Sequence, residues 1–223
     1  VTHLQRTTLG FLLLQVRGPL DPVRGEERDA FASRLEVDPT QIQQVDILSD
    51  TLDIGMLANA DAVLVGGAGE FGVLDGHPAI ERMVSFLVRA VERSHPIFAS
   101  CFGFQALVLG LGGEVVCDED RAEVGTYVLT ATEAAGSDPV FCGLPGQFKA
   151  QLGHKDRATR LPQGATLLAS SSLCPNQAMR IDGTPVYATQ FHPELTWKDN
   201  RTRFERYMAQ YGRLFGEEEA QRK

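Results

Sequence analysis

Pro96-Ile97-Phe98-Ala99-Ser100-Cys101-Phe102-Gly103-Phe104-Gln105, followed by Ala106-Leu107-Val108-Leu109, runs from a short apolar strand through a tight turn directly into a helix. Such a strand-turn-helix elbow lifts the side chain at its apex off the strand end, and the crowded backbone there requires small residues, here Ala99 and Gly103. A cysteine at a helix N-terminus also has its thiolate favoured by the helix dipole, which gives Cys101 reactivity at neutral pH. The plainer reading of the same stretch is a buried core cysteine ahead of an ordinary helix.

On the N-terminal side of this elbow, Leu9 to Val16, Gln44 to Leu48 and Ala62 to Val65 join Pro96 to Ser100 as short apolar runs, the pattern of strands buried on both faces of a parallel sheet. Helical segments lie between them: Glu26 to Leu35, a short one over Asp53 to Ala60, and Pro78 to Arg93, whose Ile80, Met83, Val84, Leu87, Val88 and Val91 form one stripe. This alternation predicts an α/β fold, an open twisted, mostly parallel sheet with helices on both faces and its site at the carboxyl ends of the strands. The second half reads as additional β structure: Thr126 to Thr132, Gln147 to Leu152, Thr166 to Ser170, Ala178 to Ile181 and Val186 to Gln190, broken by turns such as Asp182-Gly183. A last helix is expected over Asn200 to Leu214, then a frayed charged tail over 217–223.

At 223 residues the chain fits one domain, 1–223, large enough to bury a full core without disulfide or metal staples. A formal charge of -8 argues against a nucleic-acid partner, which is held through clustered Lys and Arg. Leu9 to Leu14 is too short for a secretion signal or a membrane span and reads as the first strand. Cys101, Cys117, Cys142 and Cys174 include no C-x-x-C pair, so they are expected as free thiols in a reducing cytoplasm, the last three as packing residues. His3, His77 and His95 are scattered and make no metal-ligand set, and neither metal nor cofactor is expected.

Two further constellations bear on chemistry. Ala188-Thr189-Gln190-Phe191-His192-Pro193-Glu194 closes a strand, and residues two apart on an extended backbone project to the same side. His192 can then face a cysteine while Glu194 fixes its tautomer and stabilises the imidazolium; the alternative is a surface histidine beside a solvated glutamate. Val63-Leu64-Val65-Gly66-Gly67-Ala68-Gly69-Glu70-Phe71-Gly72 is a glycine-rich loop after a strand. Gly67, Gly69 and Gly72 satisfy the dinucleotide fingerprint literally, but no helix opens at once, since Asp75-Gly76-His77-Pro78 intervenes, and two strands precede it. Its backbone N–H groups can instead serve a developing oxyanion together with the N–H after the nucleophile.

Taken in order, the Gly-Gly loop, Cys101-Phe102-Gly103-Phe104-Gln105 and His192-Pro193-Glu194 resemble the class I glutamine amidotransferases, which carry a Cys-His-Glu triad. The resemblance covers about Ala60 to Glu194, and the segment from His154 to Ser171 is similar to free-standing members related to the amidotransferase domain of GMP synthase. It implies a flavodoxin-like sheet. It also implies Cys101, His192 and Glu194 as the triad, Gly67 and Phe102 as oxyanion-hole donors, and Gln105 and His154 as substrate-binding residues. The implied reaction removes the side-chain amide of L-glutamine through a γ-glutamyl thioester and delivers ammonia to an ATP-dependent synthetase partner. No phosphate loop of the form G-x-x-x-x-G-K-[ST] occurs in these residues. A γ-glutamyl hydrolase acting on γ-glutamyl peptides or amines would use the same triad, and a catalytically silent binding or regulatory module would keep only the fold. Ala99, Ser100 and Lys155 stand where the family commonly has glycine, an aliphatic residue and glycine.

Overall fold

The computed structural model describes residues 8–18 and 20–207. Strands β1 (Phe11–Gln15), β2 (Ile42–Asp46), β3 (Ala62–Val65) and β4 (Ile97–Ser100) form the parallel core with β11 (Val186–Thr189), in the spatial order β2-β1-β3-β4-β11. All five residues of β1 are buried, as expected of a strand covered on both faces. Beyond β11 the sheet continues antiparallel through β10 (Ala178–Ile181), β9 (Ala165–Ser170), β6 (Glu123–Ala131) and β7 (Gln147–His154), giving nine strands.

Helix α1 (Val23–Leu35) buries Val23, Glu27, Phe31 and Ala32. Helix α2 (Pro78–Glu92) begins at a cap in which His77 Nδ1 accepts from Ala79 N, with Pro78 in the first turn, and it sets Ile80, Met83, Leu87, Ala90 and Val91 into the core. Helix α3 (Phe102–Gly110) follows β4 without a loop residue other than Cys101, and it packs on α2. Helix α4 (Trp197–Arg206) starts in a reciprocal cap between Thr196 and Asp199.

The expected α/β sheet is present, with differences at its edges. The segment from Ile54 to Asn59 is a 3-10 helix capped by Asp53. β6 starts three residues earlier than its apolar pattern suggests, because Glu123 is drawn inside by a buried polar cluster. Two strands escape the pattern altogether: β5 (Glu114–Cys117) and β8 (Asp156–Arg160) pair as a separate two-stranded ribbon of mostly polar residues. α4 begins three residues before the expected Asn200, and its expected continuation to Leu214 and the tail over 217–223 lie outside the described residues. All four cysteines are free, but Cys117 and Cys142 are exposed rather than packed, Cys117 because it ends the edge ribbon. No helix among the described residues is long and apolar enough to cross a membrane.

Candidate active site

Three adjacent parallel strands, β3, β4 and β11, end on one side of the sheet, and the chain beyond each supplies one part of the site: Gly66-Gly67, Cys101 and His192. Cys101 adopts φ 50° and ψ -101°, a left-handed conformation that costs a non-glycine residue about 1–3 kcal/mol and recurs at functional positions. Its N–H is tied to Thr189 O at 2.7 Å, so β11 holds the elbow in place. Gly103 explains how the following helix can leave so abruptly: a Cβ there would lie 2.7 Å from Val65 Cβ and 3.0 Å from Ala99 Cβ.

Cys101 and His192 are both buried, with Glu194 behind them. His192 Nδ1 donates to Glu194 Oε1 at 2.6 Å, which leaves Nε2 for the thiol, while Cys101 Sγ itself lies 3.9 Å from Gly153 O. Burial opposes the charged imidazolium, but Glu194 and Cys101 together outweigh it and push His192 up to about 10. A ring so poised holds a proton at neutral pH. Ser100 Oγ donates to the same Glu194 Oε1 at 3.2 Å, giving a use to a residue that departs from the family pattern. Glu194 Oε2 is buried with no hydrogen-bond partner among the described residues.

Cys101, His192 and Glu194 lie together at the pocket, while Gly67 and His154 are engaged by other groups. Phe102 opens α3 and lines the pocket, so its N–H lies in the first turn, where no intrahelical acceptor exists. Gly67 lines the same pocket, but its N–H donates to Glu27 Oε1 at 3.0 Å and is not free for an oxyanion. Glu27 is fully buried and sits between Arg17 and the glycine loop. Burial would raise its carboxyl, yet Arg17, Arg203 and the hydrogen bonds from Arg17 and Gln15 hold it down at about 2. Gln105, which lines the pocket, spends its amide nitrogen on Asp156 O at 2.7 Å and Gln190 Oε1 at 3.2 Å. His154 is buried with Nδ1 on Asp156 O and Nε2 on Glu123 Oε2, each 3.0 Å, so neither nitrogen is available to a ligand.

Several site residues carry no role in the motif reading. Gln190 Nε2 donates to Cys101 Sγ at 3.7 Å, a contact that helps fix the position of the sulfur. Its signal lay in the Gln190-Phe191-His192 run, two positions before the histidine. Glu27 had a clearer signal, since Val23, Glu27 and Phe31 fall on one buried helical stripe, where an acidic residue demands a partner. The pocket has a volume of about 500 Å³. Among the described residues no cluster of His, Cys, Asp and Glu could hold a metal ion.

Residues 30–208 match the family described as Glutamine amidotransferase class-I. A glutamine-hydrolyzing GMP synthase subunit from Methanocaldococcus jannaschii is 36% identical over 123 residues, which is 55% of this chain and 63%, just under two thirds, of the relative. The corresponding GMP synthase subunit from Archaeoglobus fulgidus is 27% identical over 149 residues, 67% of this chain and 74% of the relative. Among solved structures, a glutamine amidotransferase from Thermotoga maritima superposes with a TM-score of 0.73 at 20% identity, covering 96% of this chain and 90% of that one. One from Methylobacillus flagellatus gives 0.70 at 21%, covering 90% and 74%. At these identities the structures speak to the fold.

Proposed function

The chain belongs to the class I glutamine amidotransferases, and from that premise we propose that it hydrolyses the side-chain amide of L-glutamine to glutamate and ammonia, with Cys101 as nucleophile, His192 as acid and base, and Glu194 as the carboxylate that orients His192. The observation that carries this reading is the buried line of thiol, imidazole and carboxylate at the end of β4 and β11, with His192 raised to about 10. The Cys101 thiolate attacks the γ-carbonyl carbon. The C–N bond breaks as the nitrogen takes the His192 proton, and water, giving a proton back to His192, then opens the thioester.

In this reading Phe102 N–H and the N-terminal turn of α3 meet the developing oxyanion. Gly67 adds its N–H only when the bond to Glu27 opens. The two archaeal relatives are subunits by name, and the corresponding proposal is that a separate ATP-dependent synthetase consumes the ammonia. Four free thiols suit a reducing compartment, and we place the protein in the cytoplasm.

The test is ammonia and glutamate release from L-glutamine by the purified chain, alongside mass detection of a covalent adduct from a glutamine-shaped electrophile. Turnover and labelling should both vanish in Cys101→Ala. Glutamine turnover that survives this substitution would overturn the assignment.

A further inference from the structure

Arg203 of α4 lines the pocket together with Arg17, Asn200 and Tyr207. It is 9% exposed, and its Nη2 is buried with no hydrogen-bond partner among the described residues. Glu27 faces that nitrogen at 3.9 Å, too far for a hydrogen bond. The carboxylate is also already full. Its Oε1 accepts from Arg17 Nη2 at 3.1 Å and Gly67 N at 3.0 Å, and its Oε2 from Arg17 Nε at 3.2 Å and Gln15 Nε2 at 2.8 Å. A carboxylate offers about four lone-pair sites, so none is left for Arg203. Arg17, in turn, is occupied by Glu27, Asp21 and Tyr207. Among the described residues, the pocket therefore has a buried guanidinium nitrogen, Arg203 Nη2, with a charge facing it but no hydrogen-bond acceptor, and a charged donor in that position favours an anionic one.

Its place in the pocket says which part of a ligand would supply the anion. A Cβ on Gly67 would lie 3.4 Å from Arg17 Nη2 and 3.5 Å from His192 Cε1, so the arginine cluster stands on the His192 side. His192 gives its proton to the departing nitrogen, and the group attached to that nitrogen extends toward the same side. Elsewhere the lining carries Glu70, Asp75, Glu119 and Asp156, which repel an anion, and Lys155, which is half exposed and faces Glu119 at 3.9 Å.

We propose that this pocket also hydrolyses γ-glutamyl amides whose amine bears a carboxylate, that is γ-glutamyl amino acids, with Arg203 holding the carboxylate of the leaving amine. The inference rests on the thiol-amidase reading of Cys101 and His192 given above. Cys101 Sγ bonds to the γ-carbonyl carbon, the C–N bond breaks, and the amino acid leaves with the proton from His192. Water then attacks the thioester, the C–S bond breaks, and the water proton returns to His192. Glutamate and the free amino acid are the products, with no oxidant, reductant or nucleotide consumed.

The experiment compares kcat/KM for γ-glutamylglycine, γ-glutamylglycinamide and L-glutamine in the unsubstituted chain, Arg203→Lys and Arg203→Met. The glycine conjugate should exceed its neutral amide by about tenfold or more. That ratio should fall to about one in Arg203→Met and stay intermediate in Arg203→Lys, which keeps a charge facing Glu27. Because each ratio is internal to one protein, a general loss of folded enzyme lowers both rates and leaves it unchanged. Equal use of the two conjugates by the unsubstituted chain, or a ratio that persists in Arg203→Met, overturns the proposal while glutamine turnover still supports the glutaminase. Cleavage of γ-glutamylglycine without cleavage of glutamine does the reverse, and no cleavage of any of the three overturns both.

Discussion

His192 and His154 are both buried, both contact a buried carboxylate and both line the pocket that holds Cys101. They differ in what the second ring nitrogen meets. His192 gives one nitrogen to Glu194 and keeps the other for the thiol, whereas His154 gives one to Glu123 and the other to the backbone at Asp156. A histidine with one nitrogen tethered and one free can move a proton to and from a reacting group. One tethered at both ends can only hold chain segments together, here β6 and the first residue of β8. Burial and a carboxylate neighbour are thus shared by a reactive pair and a structural pair, and the open valence separates them.

The sharpest way to break this comparison is to substitute the same residue at both places. His192→Gln should lower kcat/KM for L-glutamine by about 10³-fold or more, as loss of a triad base does elsewhere, with little change in thermal stability. His154→Gln should do the opposite, costing about 1–3 kcal/mol of unfolding free energy while kcat keeps most of its value. Steady-state kinetics and denaturant unfolding on both variants decide it, and a collapse of kcat in a folded His154→Gln would erase the distinction.

The pH profile sharpens the reactive pair. Glutaminase activity should hold through neutral pH and decline only as His192 loses its proton near 10. In Glu194→Gln that upper limb should move to lower pH, because the carboxylate that helps hold the ring's proton is gone. The folded ring binds its proton more tightly than the unfolded one, whose value is 6.5, so the pair's contribution to stability is complete below 6.5 and is lost as pH rises through about 10. An upper limb that stays in place in the folded variant would disconnect Glu194 from the ring.

An effect on stability rather than on turnover concerns the third buried carboxylate beside the site. Glu27→Ala leaves Arg17 in the interior with only Asp21 as a counter-ion and should cost about 3–5 kcal/mol, whereas Arg17→Met combined with Glu27→Leu should recover most of that loss. Equal instability of the single and double variants would show that the ion pair itself, rather than its imbalance, sustains the fold.

The parallel half of the sheet was legible because strands covered on both faces must be apolar throughout, as Phe11 to Leu14 and Val63 to Val65 are. The elbow was legible because Gly103 and Ala99 are the small residues its crossing requires. The β5–β8 ribbon was not, since an edge pair such as Asp156 to Arg160 buries only alternate residues and reads locally as a polar loop. That Cys101, His192 and Glu194 come together followed from order and spacing, but the hydrogen bonds around them did not. Gly67 carries the right residue for an oxyanion donor, and only the position of Glu27, 40 residues earlier, decides where its N–H points. Arg203 lies beyond the last motif and acquires meaning only from the saturation of Glu27.

That same carboxylate constrains how the sequence can change over time. A Cβ on Gly66 would sit 2.6 Å from both Glu27 oxygens, so a larger residue at 66 requires the carboxylate at 27 to shorten or withdraw, which in turn loosens its bonds to Arg17. Positions 17, 27 and 66 should therefore drift as a trio among homologues, each accepted only when the other two have already moved, and a lineage that escapes the constraint should have replaced all three.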